Sequence, residues 1–224
     1  MIRAAFMKIN ADLTERVVID SSTLQWVDSP VAGISRLMLE RNGREEGRAT
    51  SIVRYAPGSR FSPHVHPGGE EILVLEGVFT DEYGKYGPGT YIKNPPGSSH
   101  APGSQAGCTL FVKLWHLDPE DDRRIVVDTK QASWYPGLVT GLSVMPLFEF
   151  GISHTALVRW DPGTHFNPHR HYGGEEIYVL EGMFEDEHGQ YPAGTWIRSP
   201  HMSAHHPFST EGCVILVKTG HLYP

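Results

Sequence analysis

At 224 residues, 39 % hydrophobic and 20 % charged, the chain can bury one large core or two small ones. A formal charge of −7, from 19 basic and 26 acidic side chains, argues against a protein that grips nucleic acid, which takes clustered lysine and arginine. No run approaches the roughly 18 apolar residues of a membrane span, and the charges scattered through MIRAAFMKINADLTER make a poor signal peptide, so a cytoplasmic location is expected.

In chain order, Ile2, Phe6, Ile9 and Leu13 come first, at helix-like spacing, and predict a segment docked on the parent domain. Arg41–Gly47 reads as a polar loop. EILVLEG (from Glu71) is a short apolar run stopped by glycine, DEYG a hairpin turn, and GTYIKNP a strand ended before proline. TLFVKLWHL closes the unit, and the charged run Asp118–Arg124 reads as a solvated linker. EIYVLEG, DEHG, GTWIRSP and VILVKTGHL then return in the same order. Short, evenly spaced strands with Gly/Pro turns predict small barrels or sandwiches, all-β throughout.

The chain is thus a duplication. The stretch from Phe61 aligns without a gap with the stretch from Phe166 at an offset of 105, and just over half the positions from Pro57 to Leu117 are identical. Upstream, VID-(x5)-W ending at Trp26 pairs with VVD-(x5)-W ending at Trp134 at an offset of 108, the three-residue change falling in Arg41–Gly47. Two domains are expected, residues 1–118 and 119–224. Cys108 and Cys213 occupy matching positions and are expected to be small buried residues of separate cores rather than a disulfide.

The chemistry gathers at His64-x-His66 and His169-x-His171. Side chains two apart on a strand share a face, so each pair enters one interior. A turn leads to Glu70–Glu71 or Glu175–Glu176, and only one glutamate of each couple can point the same way. His100 and His205 follow the next turn, and the repeat alignment favours His205 over His206. Imidazole with carboxylate suits zinc, iron, manganese or nickel. The second mouth carries His165 where the first has Arg60. His116 and His221 are read as strand ends facing solvent.

G-(x5)-H-x-H-(x3)-E-(x6)-G, from Gly58 to Gly77 and from Gly163 to Gly182, resembles the first motif of the cupins, and P-x-G-x-x-H, from Pro95 to His100, the second. The resemblance implies tandem jelly-roll barrels (a bicupin) and one divalent metal per barrel, zinc favoured. It implies as ligands His64, His66, Glu70 and His100, then His169, His171, Glu175 and His205. Met202 stands where the second motif has glycine, which implies a stiffer turn. HPGGEEILVLEGVFTDEYG, NPPGSSH, GCTLFVK and the upstream Trp–Gly–Leu pattern more narrowly resemble the cupin domain of ChrR-type anti-sigma factors.

That resemblance implies a regulatory or stress-sensing module with a small-molecule ligand in each barrel. In that family a helical zinc-holding segment grips the sigma factor. Here no cysteine precedes Cys108 and about fifteen residues precede the first repeat, so that segment is not recognised and a sigma-factor partner is not the primary expectation. The alternative is a non-haem metal-dependent dioxygenase acting on a small diketone or hydroxyacetophenone-like substrate. Four protein ligands close a tetrahedral zinc site, whereas a six-coordinate metal keeps open positions. No acid–base set beyond the ligands decides between them.

Overall fold

The computed structural model describes residues 7–43 and 46–222, so Ile2 and Phe6 lie outside the described residues. All the regular structure described is β except one 3-10 turn, Ser21–Thr23. At the N-terminus Met7–Ile9 is a strand paired with Arg41–Gly43, not part of a helix. The loop expected over Arg41–Gly47 is smaller than predicted, because Ile34–Gly43 and Gly47–Tyr55 form a hairpin that reaches Gly43↔Gly47.

The chain forms two units. The first holds Met7–Ala11 and Gln25–Gln131 of the described residues, and the second Asp12–Leu24 and Ala132–Leu222. In the first, an antiparallel sheet runs in the order Met7–Ile9, Ile34–Gly43, Gly47–Tyr55, Cys108–Leu114, Glu70–Gly77, Thr90–Asn94, Ile125–Asp128, with Val27–Asp28 also on Ile34–Gly43. In the second, Leu142–Phe150, Ser153–Trp160, Cys213–Thr219, Glu175–Asp186 and Thr195–Ser199 repeat that order and end on Val17–Asp20. Shorter sheets and a two-stranded ribbon complete each jelly roll.

The compact units differ from a single cut at 118/119 in where the opening strands lie. Val17–Asp20, which opens the first repeat in sequence, hydrogen-bonds Thr195–Ser199 of the second unit. Its counterpart Ile125–Asp128 hydrogen-bonds Thr90–Asn94 of the first unit. The two repeats have exchanged their opening strands. Asp118–Arg124 is likewise more than a solvated linker. Asp121 is buried and its carboxylate lies 2.6 Å from Lys93 Nζ, itself fully buried. A buried ammonium needs such a partner, because its desolvation is otherwise uncompensated.

Each unit has its own apolar core. Ile72, Val74, Ile92, Leu110 and Cys108 meet in the first, and Ile177, Val179, Ile197, Ile215 and Cys213 in the second. Both cysteines are buried free thiols in separate cores, as expected. Fully burying such an aliphatic side chain contributes about 2 kcal/mol. Leu73 and Glu71 on the opposite face are buried too, which is why EILVL reads as a continuous apolar run rather than an alternation. Gly77 and Gly182 have φ of 73° and 72°, and a Cβ there would lie 2.1 Å from the carbonyl oxygen of Gly107 or Gly212. The motif glycine is thus required twice over, by conformation and by space.

Candidate metal centre

A two-stranded ribbon brings the histidines together. His64–His66 pairs antiparallel with Ser98–His100, putting His64 opposite His100. Directly opposed residues share a face with Cβ atoms about 5 Å apart, and His66, two along, joins them. The turn closed by Gly69 N–H donating to His66 O (3.0 Å) delivers Glu70 at the head of the next strand. The same ribbon recurs as His169–Arg170 with Ala204–His205, His169 opposite His205.

In the first unit His66 Nε2 lies 2.9 Å from His100 Nε2, and Glu70 Oε2 lies 3.6 and 3.4 Å from these nitrogens. His64, His66 and His100 offer ligand atoms within 4.8 Å of one another, while Glu70 flanks them and accepts a 3.0 Å hydrogen bond from Asn94 Nδ2. In the second unit His169, His171, Glu175 and His205 all fall within 4.8 Å, with His171 and His205 Nε2 2.9 Å apart. Ser199 pairs with Glu175 there as Asn94 does with Glu70, and no asparagine draws the carboxylate aside. With Met202 in place of the motif glycine, the side chains of the second cluster still gather within 4.8 Å of one another. Met202 does adopt a left-handed φ of 63°.

Glu71 and Glu176 point away from these clusters. Each hydrogen-bonds a buried histidine, His116 or His221 respectively, and Glu71 also accepts from Tyr91. His116 and His221 are therefore buried partners of the opposite sheet face, not solvent-facing strand ends.

Two residues read only as turn formers have a second role. Asp81 Oδ1 accepts from the Tyr83 and Gly84 amides and from Tyr86 OH, while Oδ2 stands 3.6 Å from His100 Nδ1. Asp186 repeats this toward His205 Nδ1 at 3.6 Å. A carboxylate behind an imidazole orients the ring and raises the basicity of its other nitrogen. Arg124 Nη2, next to the exchanged strand Ile125–Asp128, lies 3.6 Å from Asp81, and Arg16, next to Val17–Asp20, lies 3.1 Å from Asp186. Their matching places in the repeats were the available sequence signal.

The electrostatics suit a cation. Burial first, then the neighbouring His205 and His169, push His171 down to about 3, so it is a neutral donor. Burial pushes Glu175 up to about 7, and its Oε2 is buried without a hydrogen-bond partner. Burial opposes the Asp186 carboxylate, but hydrogen bonds led by those from His205 and Tyr191 hold it down at about 2. Convergent imidazole nitrogens and an orphaned carboxylate oxygen are compatible with a divalent transition metal. The first cluster opens on a cavity of about 390 Å³ and the second on one of about 280 Å³.

Among the described residues no helix is long and apolar enough to cross a membrane. A comparison with curated proteins finds no match. Among solved structures, a candidate dioxygenase from Nostoc punctiforme superposes with a TM-score of 0.78 at 15 % identity, over 93 % of this chain and 84 % of that one. A candidate glyoxylate-induced protein from Pseudomonas aeruginosa gives 0.73 at 16 %, over 96 % and 91 %. A mutant of Bacillus subtilis oxalate decarboxylase gives 0.64 at 14 %, over 95 % and 78 %. At such identities these likenesses establish the fold alone. The family model described as the ChrR cupin-like domain matches residues 14–118 and again 122–223. The chain belongs to the ChrR cupin-like domain family, as a tandem of two such domains.

Proposed function

We propose that this protein binds one divalent metal in each unit, through His64, His66, Glu70 and His100 and through His169, His171, Glu175 and His205, and works as a small-molecule sensing module. The observation that carries this reading is the coincidence, twice, of a convergent histidine cluster, with a glutamate in it or beside it, and an adjoining cavity of small-molecule size. Zinc is the favoured metal, and regulation of the kind the family's ChrR cupin domain implies is the favoured role. Pull-down with the intact protein tests whether a sigma factor binds, which is not the primary expectation.

A second reading, a dioxygenase acting on a small diketone-like substrate, is favoured by one feature. The second cavity is walled largely by Val158, Phe166, Ile177, Ile215 and Val217 beside its cluster, a lining suited to an apolar organic substrate.

Metal analysis of purified protein tests both readings. Close to two equivalents per chain are expected, and His64→Ala combined with His169→Ala should abolish binding. Unchanged stoichiometry in that double variant refutes the site assignment. Full zinc occupancy without turnover supports the sensor, and iron with oxygen uptake on a diketone supports the dioxygenase.

A further inference from the structure

The two cavities share a plan but differ along one wall. Ile34 lies in the first core, and Arg36, two residues on along the same strand, shares its face. Arg36 lines the first cavity together with His64, His66 and Glu70. Cross-strand register fixes its counterpart: Arg36 stands opposite Val53 and Val27, and Val144 opposite Val158 and Tyr135. Ser51 and Tyr55 of the same wall correspond to Ala156 and Trp160. Thus three positions carrying a guanidinium and two hydroxyls in the first unit carry aliphatic or indole side chains in the second. Val144 and Ala156 pack against the second apolar core.

Charge follows the same division. Beyond the clusters themselves, the charged lining residues of the first cavity among those described are Arg36, Arg41 and Glu46. Among the described residues the second has no acidic or basic lining side chain beyond its cluster. A planar guanidinium inside a mostly apolar cavity is suited to bidentate recognition of a carboxylate, whereas the aliphatic and indole wall offers at most the single N–H of Trp160, and no cation, in exchange for a carboxylate's lost water.

We propose that the first unit selects a small organic dicarboxylate, one end at the His64/His66/Glu70/His100 cluster and the other on Arg36 with the Ser51 and Tyr55 hydroxyls, while the second excludes it. This rests on the metal-binding reading above, and the test separates the two.

Full-length protein loaded with zinc, its metal content measured first, is titrated calorimetrically with 2-oxoglutarate as the dicarboxylate probe and 2,4-pentanedione as the neutral one. One equivalent of 2-oxoglutarate per chain is expected, lost in His64→Ala/His66→Ala and retained in His169→Ala/His171→Ala. Arg36→Met should weaken 2-oxoglutarate by about 10-fold or more while leaving pentanedione affinity unchanged. Val144→Arg with Ala156→Ser should add a second equivalent, an outcome that does not depend on how Arg36→Met folds. Two equivalents in the wild type, or equal binding by wild type and a folded Arg36→Met, overturns the proposal. Full zinc content with no 2-oxoglutarate binding overturns it while leaving the metal reading intact; failure to hold zinc defeats the metal reading itself.

Discussion

Removing the Asp121 carboxylate should destabilise the first unit far more than loss of a surface acid. Its oxygen lies 2.6 Å from Lys93 Nζ with both side chains at most 1 % exposed, and Arg123 Nε adds a 3.0 Å hydrogen bond. Stripping one partner from a buried pair costs roughly 3–5 kcal/mol, because the remaining charge stays desolvated. Lys93 keeps its 2.8 Å hydrogen bond to the Arg123 carbonyl, so Asp121→Ala belongs near the lower end, about 3 kcal/mol. Urea unfolding followed by tryptophan fluorescence reads this directly, and Lys93→Met combined with Asp121→Leu should recover most of the loss. A loss below about 1 kcal/mol, or no recovery in the double variant, would place the pair among ordinary surface contacts and refute the argument. The pair also has a pH signature. Burial opposes the Asp121 carboxylate, but hydrogen bonds from Arg123 and Lys93 outweigh it and hold the group below its ordinary 3.8. Its folded value lies below its unfolded one, so the stabilisation is full above about pH 4 and is lost as pH falls through the folded value.

Asp81→Asn and Asp186→Asn should each weaken metal binding at their own centre by about 10- to 100-fold, read by competition with a chromogenic chelator; no change would show that these carboxylates do not orient His100 and His205. Met202→Gly should stabilise the second unit by about 0.5–1 kcal/mol, since relief of a left-handed non-glycine residue outweighs the entropy glycine adds to the unfolded chain. Gly77→Ala and Gly182→Ala should each unfold their unit or lower its midpoint sharply in the same urea titration, because the added methyl meets a backbone oxygen.

Much of this architecture was legible because the information is local. The His-x-His spacing, the turn before Glu70 and the fixed repeat offset lie in single strands and hairpins, whose side-chain direction follows from a period of two. The roles of Asp81 and Asp186 were hidden because aspartate before glycine already explains a turn, and its second oxygen meets a histidine 19 residues away only once the sheet forms. His116 and His221 were misplaced for a related reason. Their partners, Glu71 and Glu176, sit 45 positions earlier on the face opposite the cluster, and burial of both faces leaves no alternation to reveal it. The exchange of opening strands was invisible in kind. Val17–Asp20 and Ile125–Asp128 resemble each other closely enough that either sheet edge satisfies either strand's hydrogen bonds.

That reciprocal exchange also suggests how such a chain arises. A single repeat that gave its first strand away would need a second copy to return the favour, and its stability would rise with protein concentration as any obligate dimer's does. Fusing the copies end to end makes the same exchange intramolecular, at an effective concentration set by the connecting chain. Thermal unfolding should then be independent of dilution. The partition would also leave either repeat, expressed alone from its sequence boundary, carrying the strand that belongs to its neighbour.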